Sequence, residues 1–216
     1  MRIIAFADIH GAYGQVEQLL RRESHADVVV LAGDLTTNGT AEEAENAVQR
    51  IQAVIRPVLS VAGNMDPLPV DERFAALGIS LDGAGRAVGE VGFFGVSGGP
   101  LSPLRTPFEI PEEEIARKAE LGWNAVRGLR WKVFVPHAPP KDTHLDRTFF
   151  GRHVGSSAVR EFVEARQPDL LICGHIHESR GIDRLGKTEM VNVGPARKGC
   201  YAVIDIDSDV KIRLFP

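Results

Sequence analysis

Along the first half of the chain, short apolar runs alternate with longer segments of helical period. Residues 3–7 read as a strand, residues 15–22 as a helix with Val16, Leu19 and Leu20 on one side, and residues 28–32 as a second strand. That second strand is so uniformly apolar that both of its faces must be covered. Thr40 caps the next helix, where Ala44, Val48, Ile51 and Ile55 recur at spacings of three and four until Pro57 stops it. Residues 58–62 form a third strand, after which Asp66 and Pro67 read as the N-cap and first position of a short helix ending near Ala76. Strands alternating with helices in this way predict parallel strands joined by crossovers.

From residue 84 the texture turns glycine-rich and hairpin-like, with Gly89-Glu90 set between Arg86-Ala87-Val88 and Val91-Gly92-Phe93-Phe94. Pro111 opens a charged helix running to about Val126. Residues 132–135 read as a strand, 157–166 as a helix, 169–173 as a strand, and 181–215 as alternating short strands. The expectation is an α/β (α+β) chain built as a four-layer αββα sandwich, two mixed sheets flanked by helices, in one domain spanning residues 1–216.

Composition narrows the function. A formal net charge of −4 gives no bulk attraction to nucleic acid or anionic lipid, so a dedicated nucleic-acid binder is disfavoured. Cys173 and Cys200 are too few for a disulfide framework and read as reduced, buried thiols. The amino-terminal residues lack the apolar region of a signal peptide, and no run approaches the ~20 apolar residues that span a bilayer. A cytoplasmic location is expected, with homo-oligomers left open.

The candidate chemistry lies at strand ends. Asp8 and His10 close the first strand, Asp34 the second and Asn64 the third; His137 follows the strand at 132–135, and His175 and His177 follow the strand ending at Cys173. Ligands bind beyond the carboxyl ends of strands in α/β sheets, so these residues can meet in space. Taken singly, each has an ordinary reading as a turn, capping or hydrogen-bonded core residue. Together, carboxylate, amide and imidazole donors suit borderline divalent cations such as manganese, iron, nickel or zinc, and the absence of thiolates argues against a structural zinc site. His175 and His177 would share a face if the backbone between them is extended.

In order along the chain, Asp8-Ile9-His10, Gly33-Asp34, Gly63-Asn64-Met65-Asp66, His137 and Gly174-His175-Ile176-His177 resemble the motifs of the calcineurin-like metallophosphoesterase superfamily. His137-Ala138-Pro139-Pro140, residues 151–156 and Asn192-Val193-Gly194-Pro195 are similar to those of a small prokaryotic branch of that family. The resemblance implies two divalent metal ions bridged by Asp34, one completed by Asp8, His10 and His177, the other by Asn64, His137 and His175. It further implies a small phosphate-ester substrate attacked by a hydroxide between the ions, so that Asp34 and Asn64 act in catalysis through the metal and Asn64 also meets the substrate. The glycines before Asp34, Asn64 and His175 let the backbone turn tightly and approach the cations.

Met65 departs from the pattern, because many family members carry a histidine there that assists the leaving group, and a thioether donates no proton. By the resemblance, its loss goes with diester over monoester preference. The loop at 136–155 offers replacements: His144 as proton donor, and His144, His153 and Arg152 beside Lys141 and Arg147 as a basic rim for phosphate oxygens. Two rival readings stand beside catalysis. One is a non-catalytic metal-binding scaffold engaging protein partners, since a retromer scaffold subunit shares the family fold; retention of every ligand type opposes it. The other is a Rossmann-type nucleotide module, but Gly11-Ala12-Tyr13-Gly14 lacks the third glycine of that fingerprint.

Overall fold

A computed structural model describes residues 1–23 and 25–216. The first half runs β1 (Arg2–Phe6), α1 (Tyr13–Arg22), β2 (Val28–Ala32), α2 (Ala41–Gln52), β3 (Val58–Val61) and α3 (Leu68–Ala76). The middle runs β4 (Gly85–Val88), β5 (Val91–Val96), β6 (Gly99–Pro100), β7 (Glu109–Ile110), α4 (Glu112–Val126), β8 (Trp131–Pro136), α5 (Ser157–Arg166) and β9 (Leu170–Cys173). Four strands complete it: β10 (Gly181–Leu185), β11 (Thr188–Asn192), β12 (Tyr201–Ile206) and β13 (Val210–Phe215).

Two mixed sheets result, ordered β13-β12-β1-β2-β3 and β10-β11-β9-β8-β5-β4, with β6 and β7 as a small separate pair. The pleat explains how they stack. In β2, Val28, Val30 and Ala32 enter the layer between the sheets with Ile3, Ala5, Phe93, Val133 and Ile172. Val29 and Leu31 point the other way and pack with Ile4, Phe6, Leu20, Val48 and Phe74 under α1, α2 and α3. On the far side of the second sheet, Phe94, Phe134 and Leu171 meet Ile115, Ala119, Phe162 and Val163 from α4 and α5. This is the αββα order expected from the strand and helix pattern, with no helix among the described residues long and apolar enough to cross a membrane.

Local signals account for the helix ends. Thr40 Oγ1 accepts from Glu43 N at 3.1 Å to start α2, and Ser156 Oγ accepts from Val159 N at 3.1 Å to start α5. α2 stops at Gln52, so Ile55 reaches the same core from the following turn rather than from the helix. α3 has Pro67 as its N-cap, with no side-chain cap. The expected capping by Asp66 is therefore corrected: its carboxylate turns away into the loops of the site.

The outer core of the second sheet is an aromatic cluster, in which Phe94 stacks on Phe134 at 4.8 Å and meets Trp123 and Phe162 edge-on, both at 5.8 Å. Phe94→Ala should cost about 3–5 kcal/mol of stability, because the cavity is ringed by rigid rings that cannot collapse into it. Urea unfolding reads this directly; a loss below 1 kcal/mol, the size of an ordinary surface change, would show that the cluster contributes little.

Candidate metal centre

The two sheets are joined along the edge where their parallel strands end. Gly98 N, beyond β5, donates to Ala62 O, beyond β3, at 2.9 Å, and Ala196 N donates to Ala7 O, beyond β1, at 2.9 Å. Within the second sheet the loops continue the same seam, His137 N donating to Val96 O and Gly174 N to His137 O, each at 3.1 Å. Side chains cross between the sheets too, and one of them is His137, whose Nδ1 lies 2.8 Å from Ala32 O at the end of β2. A carbonyl only accepts, so Nδ1 carries a proton and Nε2 is the nitrogen turned toward the loops of the other strand ends.

That nitrogen faces oxygen atoms. His137 Nε2 is 3.0 Å from Asn64 Oδ1 and 3.6 Å from Asp34 Oδ2, and His175 Nδ1 is 2.8 Å from the same Asn64 oxygen. A few ångströms away, His10 Nε2 lies 3.4 Å from His177 Nε2 and 3.7 Å from Asp34 Oδ2, while His177 Nε2 is 3.3 Å from Asp8 Oδ1. Asp8, His10 and His177 present ligand atoms all within 4.8 Å of one another, as do Asp8, Asp34 and His137. Asp34 thus stands between two groups of donors, and the donor set of nitrogens and oxygens fits divalent cations. All of the residues assigned as ligands from sequence are brought together here.

Electrostatics points the same way. Burial, reinforced by the charges of Asp8 and Asp66, pushes the Asp34 carboxyl up to about 7, even though nearby His137 pulls against it. Burial holds His10 below the ordinary imidazole value, and burial beside His137 drives His175 down to about 3. Both imidazoles are therefore neutral near pH 7, which is the form that ligates metal.

The backbone makes room for this crowding by unusual conformations. Asp8, His10, Asp34 and His175 all have left-handed φ, between 47° and 71°, a region that costs non-glycine residues of order 1–3 kcal/mol in sparsely populated cases and gathers at functional sites. The extended backbone that would put the two histidines on one face is not what the chain adopts. His175 is left-handed, Ile176 alone is extended, and His177 opens a 3₁₀ turn, so the pair reaches the centre by a bend. The glycines allow the close approach expected of them, and they do so toward ligand side chains. A Cβ on Gly63 would overlap the Asp34 carboxylate, and one on Gly33, itself at φ 93°, would overlap the His137 ring. Their bare backbones leave space for ligand side chains.

Asp66 is the residue whose role the sequence did not disclose. Fully buried, it accepts from Leu35 N at 3.0 Å and Gly63 N at 2.9 Å through Oδ2, and from Thr36 N and Thr36 Oγ1 at 2.7 Å through Oδ1. One carboxylate thereby fastens the loop bearing Asp34 to the loop bearing Asn64. The signal available was the acidic residue two places after Asn64, which helix punctuation explained too readily.

The loop at 136–155 divides. Lys141 and His153 line the cleft above the ligands, as does Met65, and Met65 N donates to Asp34 Oδ1 at 2.8 Å. His144 instead lines a neighbouring depression with Arg147, Arg160 and Arg184, because its backbone N–H is drawn to Asp183 Oδ2 at 2.9 Å on β10. Arg152 is exposed and lines neither hollow; its N–H is tied back to Thr148 Oγ1 at 3.1 Å. Neither lines the cleft, where His144 was expected as proton donor and both as substrate contacts. Arg197, which the sequence reading passed over, sits with Nη2 3.4 Å from His177 Nδ1.

A family model described as calcineurin-like phosphoesterase matches residues 1–179, and the chain belongs to that family. It is 33% identical over 199 residues to the uncharacterized protein MJ1162 of Methanocaldococcus jannaschii, covering 90% of this chain and 88% of that one. One crystal structure shares the fold at a TM-score of 0.80 and 20% identity, over 99% of this chain and 98% of its own. The phosphopantetheinyl hydrolase PptH of Mycobacterium tuberculosis shares it at a TM-score of 0.57 and 15% identity, over 91% and 90%.

Asp66→Asn would turn an amide N–H₂ toward backbone donors and free one of the two loops. Manganese affinity should fall about 10- to 100-fold, the usual cost of losing a group that supports metal ligands, with a stability loss of about 1–3 kcal/mol. Calorimetric titration with manganese measures the first; an unchanged affinity would mean that the loops hold their positions without this carboxylate.

Proposed function

We propose that residues 1–216 act as one metallophosphoesterase domain that hydrolyses phosphate esters, phosphodiesters ahead of monoesters, with two divalent cations drawn from manganese, iron, nickel or zinc. The observation that carries this reading is the convergence of Asp8, His10, Asp34, Asn64, His137, His175 and His177 on one point, with imidazole nitrogens facing buried carboxylates. In this assignment Asp8, His10 and His177 hold one cation, Asn64, His137 and His175 the other, and Asp34 serves both. That the segment beyond residue 179 belongs to the same domain is supported by its pairing, β12 beside β1 and β11 beside β9.

When bound, such a cation pair makes water nucleophilic near neutral pH and offsets charge on the phosphoryl oxygens. The chain's own residues do the rest. Lys141 gives the cleft a fixed positive charge near the phosphate. We assign His153 the proton-donor role: the buried Asp146 carboxylate lies 2.6 Å from its Nδ1 and holds a proton on that nitrogen, so that in the imidazolium form the second proton, on Nε2, is the one given to the departing oxygen. Met65, beside Asp34 on the cleft wall, supplies none. Leaving groups that depart without strong proton assistance, such as aryl oxides, are therefore favoured, and a diester with its single negative charge demands less positive surround than a monoester dianion. The two free, buried cysteines fit a reducing compartment, and we assign the protein to the cytoplasm. A non-catalytic metal-binding scaffold would use the same donors, but it leaves the open cleft above them, lined by Lys141 and His153, without a purpose.

Asp34→Asn keeps shape and tolerates left-handed φ, so the fold should persist while bound metal falls below two per chain and ester hydrolysis is lost. Elemental analysis with a 4-nitrophenyl diester assay reads both; wild-type turnover with excess manganese would dismiss the bridging role. Met65→His should raise alkyl monoesterase kcat/KM, general-acid help being worth ~10²- to 10⁴-fold at its fullest. Matched mono- and diesters in both proteins decide it, and a wild type already preferring alkyl monoesters would remove Met65 as the controlling feature.

A further inference from the structure

The cleft above the ligands encloses about 660 Å³, room for an organic group well beyond a phosphate. Its lining continues from the metal-type residues onto a single segment, Pro100, Leu101, Pro103 and Leu104, with Met65 alongside. Leu101 and Leu104 are 67% and 81% exposed. One exposed leucine is ordinary; two on one rigid segment beside a candidate reaction centre are not explained by the fold.

Rigidity is built in. The Glu109 carboxylate accepts from Ser102 N at 3.0 Å and Ser102 Oγ at 2.7 Å, and from Thr106 N at 2.8 Å and Thr106 Oγ1 at 2.7 Å. At its base, Gly99 N donates to Phe108 O and Phe108 N to Asn64 O, each at 3.0 Å, so the segment is keyed to a candidate ligand. The apolar face is thus presented already ordered, and little entropy is lost when something covers it.

The polar lining offers few groups for a sugar or a base. Glu109 is spent on its own loop, and Glu112 is spent at the start of α5, accepting from Ser156 Oγ at 2.5 Å, Ser157 N at 3.1 Å and Ala158 N at 3.0 Å. Lys141 and His153 are the basic lining groups, and they suit the phosphate.

We propose that the cleft selects phosphoesters carrying an apolar alkyl or aryl group, which seats against Leu101 and Leu104 while the phosphate lies over the metal-type residues. This rests on the phosphoesterase reading and narrows it, favouring aryl or alkyl esters over nucleotide esters. Water adds across one P–O bond, giving the free alcohol or phenol and a phosphate that retains the other ester group.

The test uses 4-nitrophenyl alkyl phosphodiesters with methyl, butyl and hexyl groups, so that the leaving group is constant. With manganese-loaded enzyme, kcat/KM should rise at least tenfold from methyl to hexyl, each well-buried methylene being worth up to about fourfold. In L101S/L104S the dependence on chain length should flatten. Calorimetric binding of methylphosphonate and hexylphosphonate to the same loaded proteins separates the two readings. Tighter hexylphosphonate binding that is lost in L101S/L104S, without hydrolysis of any diester, upholds the apolar cleft and removes the phosphoesterase assignment. Equal affinities, or a flat series in an active enzyme, overturn the apolar preference.

Discussion

A single hydrogen bond organises the centre, from His137 at the end of β8 to the Ala32 carbonyl at the end of β2. It ties the carboxyl-terminal edge of one sheet to that of the other at the depth where the loops begin. It also holds a proton on Nδ1 and turns Nε2 to face Asn64 and Asp34. Backbone bonds across the same seam hold the edges together, and this side chain both spans the sheets and turns its other nitrogen toward the candidate ligands. Strand ends distant in sequence meet because the sheets close here.

Closing the seam creates an electrostatic problem that the protein alone does not solve. Asp8 is 0% and Asp34 3% exposed, and burying carboxylates without compensation is costly. Asp8 is stabilised in its ionised form, for burial is outweighed by a hydrogen bond from His177 and by nearby imidazoles. Asp34 is not, and burial holds its proton on into the neutral range. The two carboxylates differ in their close imidazole partner: Asp8 has His177 Nε2 at 3.3 Å, whereas Asp34 has Met65 N at 2.8 Å on one oxygen and imidazole nitrogens at 3.6 Å or more from the other. The oxygen left short of donors lies between the two groups of potential ligands.

Periodicity and punctuation in the sequence disclosed most of the architecture, since β2 is apolar throughout and Thr40 and Ser156 act within a few residues of themselves. The metal-type side chains were legible for a similar reason: each follows an apolar run that could only be a strand. What stayed hidden depends on partners far away. Asp66 serves loops about thirty residues earlier, and nothing local separates it from a helix cap. His144 and His153 look alike in sequence and line one depression together, yet His153 alone of the two also reaches the cleft, while the backbone of His144 is drawn to Asp183 on β10. The bend at His175 follows from packing in the seam rather than from residue preference.

The left-handed backbone at Asp8 and Asp34 bears on how such a protein changes over evolutionary time. Asparagine is among the few side chains that enter this region easily, and a single base change converts an aspartate codon into one for asparagine. The carboxylates could therefore be neutralised one at a time while the turns kept their shape and the sheets stayed closed. A lineage released from selection for chemistry would lose its metal before its fold, leaving a stable folded surface open to recruitment for other work.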